Sequence, residues 1–394
     1  MIPRIGKPCN SEEISSFLQL SKKEKCRLKE KFEKKFSRYI GVKHAIAVSS
    51  ARIALYLLIK NLQIKKKSNI IVPSYTASIV PYVLDFCNLV PIYVDAAPDN
   101  FLMNMQEIKP SMLKNSKAII ATPINGRQMG IDKVLKMCKK YGLVLIEDNA
   151  QACGTSFKGK MLGSFGNAAY FSFGFSKQIT TLGGGMITTN DSALAQKIRD
   201  DIKSFEEPDE MEKVRKAKVV VNLLKPRIFS WTTSPIIGLF HLLNKSIITD
   251  FFGDHTPLKN KRIEKLKVQY TNFQAFLGIK QLKELDKDNQ RRNEHAGVIN
   301  NILKEKVPRN MKEENKGETY STYEIRVKNR QRFIKGLYKK GIDSQITWMK
   351  NCGRPREKYP VSALLEKGVV SVPIYPSLSK KEIIYIAKVI KKLI

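Results

Sequence analysis

From residue 45 to residue 190 the chain alternates short apolar runs with stretches of helical spacing. The runs fall at 45–48, 70–73, 89–94, 117–122, 143–147, 168–173 and 185–189. Strands that alternate with helices imply a mostly parallel sheet with helices on both faces. An open sheet of that kind binds its ligand beyond the carboxyl ends of its strands. The 143–147 run ends in Glu147-Asp148-Asn149, so Asp148 belongs at such an end. The expected fold is therefore α/β, with a mostly parallel central sheet flanked by helices. A smaller α+β portion follows over 263–394, where 323–327 and 369–372 read as strands and 379–394 as a helix.

The same stretch carries candidate chemistry. About 25 residues after Asp148 come Phe171-Ser172-Phe173-Gly174-Phe175-Ser176-Lys177, then Gly183-Gly184-Gly185. A carboxylate at a strand end and a lysine in a glycine-flanked aromatic segment are what pyridoxal phosphate chemistry needs. The lysine forms the Schiff base, and the acid pairs with the pyridinium nitrogen so that the ring acts as an electron sink. Burial beside the cofactor favours the neutral, nucleophilic amine. Any single lysine among 70 basic residues is by default a solvated charge. A surface lysine, however, does not need aromatic neighbours and tight turns. Asp148 has a structural alternative, as a strand-end acid capping the next helix.

The segment from Ile146 to Asp191 resembles the DegT/StrS-type sugar aminotransferases, which are fold-type-I enzymes acting mostly on nucleotide-linked ketosugars. Similar stretches precede and follow it: Ser49-Ser50-Ala51-Arg52-Ile53, Ile70 to Thr76, Pro91 to Asp95, Phe273 to Gly278, and Ser371 to Pro376. The resemblance spans roughly 35–390 in the family's order. It implies Lys177 as nucleophile and proton carrier, and Asp148 on the ring nitrogen. Ala150 would lie on the ring face, and Gln151 would reach the phenolic oxygen or the substrate. Ser172 and the amides of Arg52 and Ile53 would hold the phosphate, since a helix N-terminus offers unpaired N–H groups. Thr76 is followed by Ala77 rather than an aromatic, so Tyr75 would have to stack on the ring instead, or the ring is less tightly sandwiched. Lys267 would reach the phosphate of a partner subunit in a homodimer. L-Glutamate would be the amino donor and a nucleotide- or lipid-linked ketosugar the acceptor, for aminosugar and polysaccharide biosynthesis. The chain departs from the family pattern at Arg52, Ala77, Gln269, the 123–127 loop, which lacks a His, and Thr347-Trp348. A sugar dehydratase on the same fold replaces the lysine by His, and this chain keeps Lys177. A non-catalytic binding protein of this fold is the alternative from another class.

Composition adds partners. The net charge of +34 favours phosphorylated substrates, polyanions or anionic membranes. No helix-turn-helix, zinc finger or stacked-aromatic basic patch points to nucleic acid. Six scattered cysteines without a CxxC fit reduced thiols, a cytoplasmic location and no metal site. The N-terminus lacks an apolar signal core. Residues 1–40 read as a helical lead-in, 41–202 as the cofactor-binding domain and 203–262 as an insertion. Within the insertion, a basic flank (Lys213, Arg215, Lys216, Lys218) precedes the apolar run Ile228–Asn244. The 213–252 stretch reads either as an element lying on an anionic membrane or as a buried lid or dimer contact.

Overall fold

The computed structural model describes residues 1–6, 8–223, 263–304 and 317–394. The strands of the first half are β1 (His44–Val48), β2 (Asn69–Pro73), β3 (Tyr75–Ala77), β4 (Val90–Val94) and β5 (Ser116–Ala121), then β6 (Val144–Asp148), β7 (Ser156–Phe157), β8 (Lys160–Met161), β9 (Ala168–Ser172) and β10 (Gly185–Thr189). Seven of them form one sheet in the order β1-β10-β9-β6-β5-β2-β4. The pairs from β9 through β4 are parallel, and β10 runs antiparallel to both its neighbours. Helices on both faces explain why β5, β6 and β10 carry apolar or small residues on successive positions rather than alternating ones.

One face of the sheet is covered by the helices Ala51–Asn61, Ile79–Phe86 and Ser192–Lys203, whose buried side chains form one apolar cluster with β1, β2 and β5. The other face packs on the helix Leu28–Ile40 and the 32-residue helix Asn272–Leu303. Phe32, Phe36, Phe171 and Phe173 interlock there at centroid separations of 5.1–6.0 Å. Gly278 is required at the contact: a Cβ on it would lie 2.5 Å from the Phe32 ring.

The C-terminal strands are β11 (Tyr323–Arg326), β12 (Gln345–Ile346), β13 (Met349–Asn351) and β14 (Val369–Val372). They build a small antiparallel sheet, β11-β14-β12. β13 leaves that sheet and pairs antiparallel with β3, matching Met349 to Ala77 and Asn351 to Tyr75. Asp95, buried at the end of β4, accepts from the backbone N–H of Val361 and Ser362 and from the Ser362 hydroxyl. These contacts fasten the C-terminal strap across the carboxyl ends of β2 and β4.

The first part of the insertion is an ordinary packed helix. Over Glu210–Leu223, Val214, Ala217, Val220 and Val221 are buried against the helices Ser11–Gln19 and Asn272–Leu303. Its basic residues face outward, with Arg215 paired to Asp209 at 2.8 Å and Lys216 paired to Glu212. The rest of the 213–252 stretch, including Ile228–Asn244, lies outside the described residues. Among the described residues, no helix is long and apolar enough to cross a membrane.

Candidate active site

Three sequence-distant pieces converge at the carboxyl ends of β6 and β9. The first is Asp148, the last residue of β6, which is 4% exposed. Its register partner on β9 is Tyr170, whose buried hydroxyl lies beside the carboxylate. Asp148 also accepts from the Ala150 N–H at 3.2 Å and from the Thr122 hydroxyl at 3.4 Å. Burial pushes its pKa up, while Tyr170, the Ala150 amide and the positive charge of Lys177 oppose the rise. The second piece is the loop after β9, which carries Lys177. A turn closed by the Lys177 N–H on the Gly174 carbonyl sets the lysine back toward the sheet. Burial lowers its pKa to about 8, against the pull of Asp148 and Glu324. Lys177 makes no ion pair within 4 Å among the described residues.

The third piece is the start of the helix Ala51–Asn61. Ser50 caps it, its hydroxyl accepting from the Ile53 N–H at 3.2 Å. The glycine run passes directly over this terminus. Gly184 pairs with Ser50 and has φ +108°, a conformation that favours glycine. A Cβ on Gly185 would lie 2.6 Å from the Phe171 carbonyl oxygen and 2.9 Å from the Ala51 nitrogen. A helix N-terminus with a side-chain-free strand beside it and the Ser172 hydroxyl at the end of β9 makes a cup suited to an anion.

These residues fit pyridoxal phosphate on their own chemistry. A half-buried lysine with a lowered pKa, a buried carboxylate beside it and a cup for a phosphate are the three things that the cofactor requires of a protein. A family comparison agrees with the geometry. The family model for DegT/DnrJ/EryC1/StrS aminotransferases matches residues 9–220 and 252–391. The chain belongs to that family. It is an enzyme whose cofactor is pyridoxal phosphate. It is 28% identical over 369 residues to dTDP-3-amino-3,6-dideoxy-alpha-D-galactopyranose transaminase of Aneurinibacillus thermoaerophilus, covering 89% of this chain and 86% of that one. Over 168 residues it is 39% identical to GDP-perosamine synthase of Caulobacter vibrioides, covering 43% of this chain and 45% of that one. Its fold superimposes on a DegT/DnrJ/EryC1/StrS aminotransferase from Brucella abortus with a TM-score of 0.72 at 24% identity, over 97% of this chain and 94% of the other.

The remaining expected site residues fall in different surroundings. Gln151 reaches the floor from the loop after β6. Its side-chain oxygen accepts from the Asn125 N–H at 2.9 Å, and its amide nitrogen lies 3.5 Å from the sulfur of Met349 on the strap. Ala150 is half-buried and packs against the helix-covered cluster. Tyr75 has no exposed ring face: it is 0% exposed and packs edge-on against Phe101 at 6.4 Å. β13 pairing on β3 closes over it, so the expectation that its ring stacks on the cofactor does not match its position. Lys267 is paired with Glu264 at 2.6 Å and stands 5.4 Å from the Tyr56 ring of its own chain, one helical turn beyond Arg52. Three groups that sequence reasoning missed also belong to the site: Tyr170, Thr122 and Glu324. Tyr170 lies within an apolar strand and reads as core. Glu324 is a lone acid between Tyr323 and Ile325 on a buried strand, and that placement was the available signal.

Proposed function

We propose that this enzyme transfers an amino group to the ketone of a sugar carried on a nucleoside diphosphate, with L-glutamate as the donor, as a step in aminosugar biosynthesis. The observation that carries this reading is the Lys177 amine at the carboxyl edge of the sheet, with its pKa lowered to about 8 beside the buried carboxylate of Asp148. The relatives' names add nucleotide-linked aminosugars, and the basic surface suits a diphosphate.

When bound, pyridoxal phosphate supplies the electron sink and stores the amino group between the two halves of the reaction. Lys177 holds the cofactor and, once released, moves a proton at the amine-bearing carbon, a task matched to a pKa near the working pH. Asp148 keeps the ring nitrogen protonated. Ser172 and the first amides of the Ala51–Asn61 helix hold the phosphate, with Arg52 adding positive charge at the same turn. Gln151, tethered to the strap through Met349, orients the face on which substrate enters. A homodimer is part of this reading; for Lys267 to reach a partner's phosphate it must exchange its Glu264 contact.

The test is an absorbance spectrum of the purified protein with added pyridoxal phosphate, followed by L-glutamate. The reading requires a visible protein-bound cofactor band that glutamate bleaches and that Lys177→Ala abolishes. A band that survives in Lys177→Ala refutes the lysine's role. A band indifferent to glutamate refutes the donor. Nucleotide- and lipid-linked ketosugars, offered in parallel to the glutamate-treated enzyme, distinguish the carriers.

A further inference from the structure

Glu324 is a buried carboxylate, 5% exposed, at the point where the C-terminal sheet meets the cofactor floor. One of its oxygens, Oε1, accepts from the Thr347 hydroxyl at 2.9 Å and from the Ser371 hydroxyl at 3.4 Å. The other, Oε2, is buried with no well-aligned hydrogen-bond partner, although the Asn125 side chain and the Arg127 charge act on the carboxyl from the same cleft. A carboxylate oxygen left in that state costs more than almost any other single polar group, so it calls for a donor or acceptor from outside the fold. Glu324 borders a cleft lined by Asn125, Arg127, Tyr320, Thr322 and Tyr323. The open space in it is about 10 Å³, which is room for one oxygen-sized group. The carboxylate is close enough to Lys177 to act on its charge.

A second observation points the same way. The resemblance implies departures from the family pattern at 123–127 and at Thr347-Trp348. Both stretches meet at Glu324: Thr347 bonds its Oε1, and the Asn125 side chain also bonds the carboxylate.

We infer that Glu324 is a specificity-determining residue whose free oxygen receives a hydroxyl of the acceptor sugar. The inference rests on the ketosugar reading above and adds which side chain reads the sugar. A hydroxyl fits better than an ammonium. It donates to a carboxylate and accepts from a carboxylic acid, so it satisfies Glu324 in either protonation state. It also matches the size of the cleft. Thr347 and Ser371 hold the carboxyl in place so that the hydrogen bond is preformed.

The experiment uses the cofactor-loaded enzyme and two pairs of probes, dTDP against dTDP-glucose and GDP against GDP-mannose, with dissociation constants read from perturbation of the cofactor band. The wild type should bind at least one sugar nucleotide more tightly than its bare nucleotide. Glu324→Leu should lose about 10- to 100-fold of that sugar-dependent gain, with Glu324→Gln in between. The bare nucleotide's affinity and the retained cofactor band report that each variant is folded. A sugar gain unchanged in Glu324→Leu overturns the assignment and leaves the cleft to a resident water. Equal weakening of nucleotide and sugar nucleotide also overturns it. A wild type that gains nothing from either sugar overturns the substrate class itself, and this assignment with it.

Discussion

Replacing Lys177 by methionine should stabilise the protein in the absence of cofactor. The folded chain holds this amine at a pKa of about 8 against an ordinary 10.5, which disfavours the charged form by ~3 kcal/mol. The sign follows from proton counting. Below pH 8 the folded and unfolded chains both carry the proton, and the folded state bears the whole penalty. Between pH 8 and 10.5 the folded amine is already neutral while the unfolded one is still charged, so stability rises with pH. Above 10.5 the penalty is gone. Methionine fills nearly the same volume without a charge. At about 2.1 cal/mol/K of unfolding entropy per residue over 394 residues, ~3 kcal/mol corresponds to roughly 4 °C. Thermal scans of cofactor-free wild type and Lys177→Met at pH 7 should differ by that amount. The gap should narrow steadily by pH 9.5. Adding pyridoxal phosphate should reverse the order, because only the wild type is stabilised by covalent attachment. A variant no more stable than wild type at pH 7, or a gap that ignores pH, would refute the view that Lys177 is held against its preferred charge state.

Two further substitutions probe the frame around the lysine. Gly185→Ala places a Cβ 2.6 Å from the Phe171 carbonyl oxygen and 2.9 Å from the Ala51 nitrogen, so the strand and the helix terminus must separate. Titration with pyridoxal phosphate should show at least about tenfold weaker binding, and affinity equal to wild type would remove the glycine run from the phosphate cup. Glu147→Gln takes the charge from a buried carboxylate that accepts from the N–H groups of Gly163, Phe165 and Gly166 at 2.7–2.8 Å. At least one of these donors loses its partner, at a cost of about 1–3 kcal/mol, visible as a lowered thermal midpoint in the cofactor-free protein.

The central sheet was legible because its strands are short runs of Ile, Val, Leu and Ala separated by helical spacing, and this pattern survives without knowledge of partners. Lys177 and Asp148 stood out for a similar reason, their unusual immediate neighbours, and the structure brings the two together at the carboxyl ends of β6 and β9. Tyr75 was not legible. From sequence it is the aromatic nearest the expected stacking position, but its environment is set by β13, about 275 residues away, and strand pairing over that distance leaves no local trace. The helix Glu210–Leu223 illustrates the reverse case. The basic residues drew attention to its outer face, while Val214, Ala217 and Val221 repeat at helical spacing and mark the buried one. A helix rich in lysine on one side and valine on the other is first a packed surface helix. The charge pattern alone could not distinguish that from a membrane-facing element.

The division of labour within the site follows from how it is built. The groups proposed to handle the cofactor stand on the sheet and its first loops: Asp148 ends β6, Ser172 ends β9, and Lys177 lies in a loop closed by three backbone hydrogen bonds that join Phe173 to Thr181, Gly183 and Gly184. Their positions are fixed by strand register, so they tolerate little change. The groups proposed to face the substrate come from the C-terminal strap: Thr347, Met349 and, through β11, Glu324. The strap is fastened by the β3–β13 pairing and the Asp95–Ser362 contacts. A strap anchored at its edges can exchange the residues between its anchors without disturbing the floor. The resemblance implies departures both here, at Thr347-Trp348, and on the cofactor side, at Arg52, and the proposed reading of the acceptor sugar is tested at Glu324 rather than at Lys177.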